Sequence, residues 1–520
     1  MKGLGNRSYN ILFHTHTVSG IVISAVLFII FFAGAISLYK QEIYQWEDPA
    51  ARIPVVHNID YERVLTRLDS VKAGVKETHE VSVKLPSDAR PVYTFYVPVE
   101  DSTGMNYVTF VYNPHTDKIV EHSSGDGSTT GETLYRLHFL DQVPWYIGRY
   151  IAGFVSLFFA FAVVTGLLIH WKNIVAKFYA FSFKSVKKQF WTNAHTVFGV
   201  IGLPFQLMYA ITGAFYLLSV FILAPAVVIL FKGDQDKLVT MIYPPEAFHS
   251  HDEEFPPATH MPIAEGLEQI QRDHPDYRVS YLEIVNPGTE SAVLVADLVN
   301  EQAFNRDGTV VLDLHSGEYK LRIKPGEKNY AQSILLGISK VHFASFGGWL
   351  MKALYFILSI FTCFVIISGV LIWKEARNKP SYSEKQRRFH HRVTTLYLSV
   401  CFTLFPATAL LFIAEQLVTQ GAGHADQVNS LFFVGWLLFA VVGCLWKTEK
   451  QITTYCLTLG GILACIVPMA NGFATDDWLW LSVTRHPYVF ITDVAWLITG
   501  ILALALALMM RQQSVKVVSS

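Results

Sequence analysis

Eight separate stretches of this 520-residue chain are long and apolar enough to cross a lipid bilayer, and that sets its class before any motif is read. Hydrocarbon about 30 Å thick takes about 20 apolar residues as a helix. The stretches run 11–39, 147–171, 191–223, 346–373, 393–417, 431–446, 452–472 and 489–510. In lipid the backbone must satisfy its own hydrogen bonds, so each stretch is expected as a helix. Composition agrees, because only 16 % of residues are charged against about 25 % in soluble chains. A net charge of -1 leaves no basic balance from which to argue nucleic-acid binding. The five cysteines, Cys363, Cys401, Cys444, Cys456 and Cys465, all lie in apolar stretches and read as free thiols.

Lys and Arg in short loops set orientation. Lys172, Lys177, Lys184, Lys187 and Lys188 follow the second stretch, and Lys374, Arg377, Lys379, Lys385, Arg387, Arg388 and Arg392 follow the fourth. With Lys447, Lys450, Arg511 and Lys516 they predict both termini in the cytoplasm and two long hydrophilic segments outside. The first stretch, preceded by Lys2 and Arg7, is expected to stay as a signal anchor.

The first half of the chain repeats itself. His16-Thr17-Val18-Ser19-Gly20 matches His195-Thr196-Val197-Phe198-Gly199, and Gly34-Ala35 matches Gly213-Ala214, each glycine 18 residues after its histidine. Leu137-His138-Phe139 leads to Thr165-Gly166-Leu167-Leu168-Ile169, as Val341-His342-Phe343 leads to Ser368-Gly369-Val370-Leu371-Ile372. Both outer segments carry a helical period, at 60–73 and 262–273, followed by alternating runs that read as strands. The expected fold is an α-helical polytopic membrane protein of about eight spans with two small α+β modules, organised as span, module, span, twice, plus four trailing helices. The divisions are 1–39 (first span), 40–140 (first module), 141–232 (spans two and three with a basic loop), 233–340 (second module), 341–392 (fourth span and basic loop) and 393–520 (spans five to eight).

A module bracketed by a His-x-x-x-Gly span and a span introduced by Leu-His and ending Thr-Gly-Leu-x-Ile resembles the PepSY-associated transmembrane family over about residues 8–375. Members of that family resemble haem-containing reductases of ferric siderophores in the bacterial inner membrane. The resemblance implies PepSY-like modules in the periplasm and an oxidoreductase activity.

Ionisable groups at membrane depth point to function by default. An isolated interfacial histidine usually anchors or packs, but two repeat-matched pairs ask for more. His16 with His195 at the inner end, and His138 with His342 at the outer end, suit two b-type haems, each iron held between two imidazoles. Covalent c-type attachment is excluded because no Cys-x-x-Cys-His occurs. If the pairs sit at opposite ends of roughly 27–30 Å of helix, either His138 dips into the membrane or aromatic residues such as Phe158, Phe159, Phe161 and Tyr209 bridge the gap. His14, His170, His390 and His391 are weaker candidates: His14 is an alternative ligand, His170 an interfacial anchor, and the last two a lipid contact or a quinol or proton site. The loop holding His249, His251, Asp252, Glu253 and Glu254, with His260 nearby, offers divalent-metal ligands, although a solvated acidic loop is commoner.

No dinucleotide fingerprint, P-loop or nucleophile elbow occurs, so electrons must come from a separate donor, a quinol or a cytoplasmic reductase. The expected function is electron transfer from that donor, through the two haems, to a ferric siderophore or other iron chelate between the modules, with Trp145 and Tyr146 as candidate walls. Two other classes stay open. The chain would be a non-enzymatic peptide-binding or protease-regulating membrane protein, or a permease for the chelate. Against the permease, Pro204, Pro225, Pro406 and Pro468 form no matched pair of broken helices.

Overall fold

A computed structural model describes residues 5–72, 78–101, 104–122, 125, 127–144, 147–171, 174–179, 187–249, 255–300, 304, 307–324, 327–421 and 423–518. The chain forms two compact units. One comprises Met1–Glu47, Thr129–Val220 and Lys352–Ser520; the other comprises Asp48–Ser128 and Phe221–Met351.

The second unit contains both modules, and they are continuous. Strands β1 (Glu80–Lys84), β2 (Tyr93–Asp101), β3 (Gly104–Asn113) and β4 (Lys118–His122) come from the first copy. Strands β5 (Arg278–Val285), β6 (Val293–Val299), β7 (Gly308–Asp313) and β8 (Tyr319–Ile323) come from the second. All eight join one antiparallel sheet in the order β4-β3-β2-β1-β5-β6-β7-β8, so each copy's first strand meets the other's at the centre. The register there sets Ser82 opposite Glu283 and Lys84 opposite Tyr281. A hydrogen-bonded seam of this kind leaves neither copy with an exposed inner edge.

Period-two alternation decides the two faces. Val81, Val83, Phe95, Phe110, Leu282, Ile284, Leu294 and Leu312 form one core with two helices, Tyr61–Val71 and Ile263–Asp273. Those helices bury Tyr61, Val64 and Leu68, and Ile263, Leu267 and Ile270, at the three- and four-residue spacing that makes one stripe. Asp60 caps the first, its carboxylate accepting from the Arg63 N–H at 2.9 Å. On the opposite face, Val285, Val293, Val295 and Val311 pack against Phe248. Glu80 and Glu283 share that face by alternation.

Among the described residues eight helices qualify as spans: Asn6–Ser37, Ile147–His170, Leu203–Phe231, Gly348–Arg377, Glu384–Leu417, His424–Gly443, Glu449–Thr475 and Pro487–Gln512. The single third span expected at 191–223 is instead two helices, Lys187–Ile201 and Leu203–Phe231, and His195 lies on the first. The fifth is likewise divided into Glu384–Phe402 and Leu404–Leu417. Pro204 and Pro406 stand just inside the restarted helices, where a missing N–H is tolerated and the ring bars a straight continuation from four residues earlier. The prolines thus mark two interrupted spans, one in the repeat and one in the trailing helices. Pro225 and Pro468 lie inside helices.

The trailing helices fasten to the repeat through buried polar groups. Trp46 Nε1 donates to Asp493 Oδ1 at 2.7 Å and Asn471 Nδ2 donates to Asp493 Oδ2 at 2.9 Å. The Thr130 hydroxyl donates to Glu415 Oε2 at 2.8 Å, and His424 Nε2 meets Glu415 Oε1 at 2.9 Å.

Candidate functional site

In each repeat the first-span histidine drops into a socket built by the Thr-Gly or Ser-Gly motif of the following span. His16 Nδ1 lies 2.9 Å from the carbonyl of Ala162, with Thr165 Oγ1 at 3.5 Å. His195 Nδ1 lies 2.9 Å from the carbonyl of Val365, with Ser368 Oγ at 3.1 Å. The carbonyl comes three residues before the hydroxyl in both, and the glycine follows it. A Cβ on Gly166 would stand 3.0 Å from His16 Cε1, and one on Gly369 would stand 3.3 Å from His195 Cε1. The two repeated motifs, far apart in sequence, are therefore the two halves of one contact.

This contact sets the tautomer. A carbonyl only accepts, so Nδ1 carries the proton on both rings and Nε2 keeps the lone pair that a metal needs. The two rings stand edge to face with centroids 6.2 Å apart and planes at 76°. Imidazole nitrogens bind metals at about 2.0–2.1 Å, so two rings on opposite sides of one ion have centroids roughly 6 Å apart. Gly20 and Gly199, one turn beyond each histidine, face open space. The pair can take a single ion bound in a flat macrocycle between the rings.

His138 repeats the theme at another depth. It ends the helix Thr130–His138, and its Nδ1 donates to the carbonyl of Ile30 at 2.8 Å. A Cβ on Gly34 would be 2.5 Å from that nitrogen, so only glycine leaves room for the ring. Ile30 lies seven residues inside the end of the Asn6–Ser37 helix, about 10 Å at 1.5 Å per residue. From His16 to Ile30 is 14 residues, about 21 Å. His138 thus dips into the membrane helices, shortening the 27–30 Å expected from helix ends. The turn behind it depends on Gly148, where a Cβ would lie 1.9 Å from the Leu140 carbonyl. His342 ends its own helix, Tyr330–His342, in the other compact unit, with Phe343 5.2 Å away.

The other sequence candidates separate clearly. Phe159 and Tyr209 belong to an aromatic cluster with Phe31, Phe205 and Tyr355, with centroids 4.6–6.4 Å apart. Phe158 and Phe161 are about half exposed. His14 is exposed beside Phe13, and His170 closes the second span. His390 lies edge-on to Trp373, Tyr382 and Phe389 at 5.0–6.0 Å. His391 follows it on the same helix, half-buried. Trp145 and Tyr146 lie outside the described residues, as do His251, Asp252, Glu253 and Glu254. His249 gathers instead with Glu80 and Glu283, and His260 Nε2 accepts from the Gly288 N–H at 3.1 Å.

Sequence reading passed over Glu415 and Asp493, carboxylates set within apolar runs. Such residues signal a partner at membrane depth, and the structure supplies it in Thr130 and His424, and in Trp46 and Asn471. It also passed over Glu80 and Glu283, which strand alternation leaves on the face opposite the helices.

No curated protein matches this chain. The family model for the PepSY-associated TM region matches residues 13–376, the whole of the repeat from the first histidine socket to the end of the fourth span, and the chain belongs to that family.

Proposed function

We propose that the chain is an oxidoreductase of the bacterial inner membrane that moves electrons outward to a ferric chelate of the siderophore type, releasing Fe(II). The observation that carries this reading is the matched pair of sockets holding His16 and His195 with centroids 6.2 Å apart and both Nδ1 protons committed to carbonyls. These two residues would hold one b-type haem, and His138, its Nδ1 committed to the Ile30 carbonyl, would ligate a second. A bound haem supplies one-electron redox chemistry at an iron whose potential its ligands and surroundings tune.

The chain's own residues orient and insulate. The Ala162 and Val365 carbonyls fix ring rotation and tautomer, as outer partners of metal-bound histidines do. Phe31, Phe159, Phe205, Tyr209 and Tyr355 fill the space farther along the first span with apolar surface that excludes water. Reduction weakens the hold of hard oxygen ligands on iron, because Fe(II) is softer and less charged. The basic loops favour cytoplasmic termini and a periplasmic sheet. The donor would be a membrane quinol or a cytoplasmic reductase.

The test is a dithionite-reduced minus oxidised spectrum of the purified protein with a pyridine haemochrome count. Two b-type haems per chain are expected, and none in the preparation would sink the reading.

A further inference from the structure

The face of the sheet away from its helices carries a group of ligands that the histidine sockets do not use. Glu80 lies on β1 of the first copy and Glu283 on β5 of the second, at the central seam. His249, at the end of the segment linking the third span to the second copy, covers them. Its Nε2 is 3.7 Å from a Glu283 oxygen and 3.8 Å from a Glu80 oxygen, both beyond a hydrogen bond. One ligand atom from each of the three residues falls within 4.8 Å of the others.

The histidine itself is the independent observation. Its side chain is only 5 % exposed, yet Nδ1 has no hydrogen-bond partner among the described residues, the Glu246 carboxylate being 3.9 Å away. A buried imidazole nitrogen without a hydrogen bond costs free energy unless something else satisfies it. Two carboxylates side by side under cover pose the same problem with the opposite sign of charge. Tyr243 Oη donates to Glu283 Oε2 at 2.9 Å and so orients the oxygen that lies 3.7 Å from His249 Nε2.

We infer that Glu80, His249 and Glu283 form a binding site for one divalent first-row transition-metal ion that staples the two copies of the sheet together. One imidazole nitrogen with two carboxylate oxygens suits a borderline ion such as Zn(II), Fe(II) or Co(II) rather than Ca(II) or Mg(II), which take oxygen ligands. Such ions hold N and O at about 2.0–2.2 Å, so side-chain rotations of about 1 Å close the group around one. Three protein ligands leave a coordination position open to water or to an exchanging ligand. The inference rests on the sheet alone and stands or falls apart from the haem reading.

The experiment uses the full-length protein in detergent, stripped with a chelator and titrated with Co(II) while visible absorption and thermal unfolding are followed. One equivalent is expected, with a Co(II) ligand-field spectrum displaced by Zn(II) and a rise in unfolding temperature. Glu283→Gln and Glu80→Gln, which keep shape, should each weaken binding at least tenfold with haem content unchanged, and His249→Ala should abolish it. Failure of the wild-type chain to take up an equivalent, or equal binding by all three variants, overturns the site. Absence of haem from a preparation that still binds Co(II) would count against the haem reading only.

Discussion

Two of the glycine pairs that match across the repeat end differently. Gly166 and Gly369 each lie under a histidine from the preceding span, His16 and His195, with equivalent carbonyl and hydroxyl partners. Gly34 and Gly213 also match in sequence, but Gly34 receives His138 whereas Gly213 faces Ser156, whose Oγ would be 2.9 Å from an added Cβ. Internal duplication therefore preserved one contact in both copies and let the other diverge. A repeat supplies equivalent positions, and the helix that happens to lie opposite decides what each position holds.

The largest effect should come from the preserved pair. If both ligate one iron as proposed, His16→Ala and His195→Ala should each remove the same single haem, and the double variant should lose no more. Loss of two different haems would break the equivalence; pyridine haemochrome counts and chelate reduction in vesicles decide it. Next comes the diverged pair. Gly34→Ala forces a methyl to within 2.5 Å of His138 Nδ1 and should expel the ring, costing the second haem. Gly213→Ala need only turn the Ser156 hydroxyl and should cost less than about 1 kcal/mol, within the range of mild substitutions. Equal losses of haem from the two variants would make the asymmetry wrong.

A third prediction sharpens the contrast between the copies in the sheet. Asp297, on β6 of the second copy, is pushed up to about 6 by burial, with Asp307 adding to the shift and the Thr309 hydrogen bond opposing it. The folded sheet thus holds a proton that the unfolded chain releases. Its stabilising contribution is complete below about pH 4 and is lost as pH rises through about 6, amounting to roughly 3 kcal/mol at 1.36 kcal/mol per unit. Hydrogen-exchange protection of β6 and β7, corrected for intrinsic rates, should fall between pH 5 and 7 and become flat in Asp297→Asn. The smallest effects should come from Gly166→Ala and Gly369→Ala, whose Cβ atoms would lie 3.0 and 3.3 Å from the imidazoles. Each should shift a midpoint potential without loss of haem, Gly166→Ala more than Gly369→Ala, measurable by redox titration.

The distribution of buried acids separates what could be read in advance from what could not. Val81–Val83 and Leu282–Ile284 show their alternation directly, so the strands and the helices at 61–71 and 263–273 were legible within a few residues. The pairing of β1 with β5 was not, because edge strands carry no label for their partner. Glu80 and Glu283 look like ordinary outward charges until that seam sets them beside one another under His249. Glu415 and Asp493 were visible as charges within apolar runs, but Thr130 and Trp46, their partners, lie hundreds of residues away.

Hydrophobic length by itself determined the eight helices, among the described residues, that are long and apolar enough to cross a membrane, and repeated His, Gly and Thr-Gly motifs determined that the first four belong to two copies of one unit. Tertiary structure decided that the His-x-x-x-Gly and Thr-Gly motifs are complementary halves of a socket, which nitrogen of each ring is protonated, and how deep His138 sits. It also decided that two modules make one sheet. The reason is physical: burial periodicity is written locally, in side chains that recur every two or three to four residues, whereas tautomer, depth and strand partner depend on which distant backbone atoms arrive within hydrogen-bonding reach.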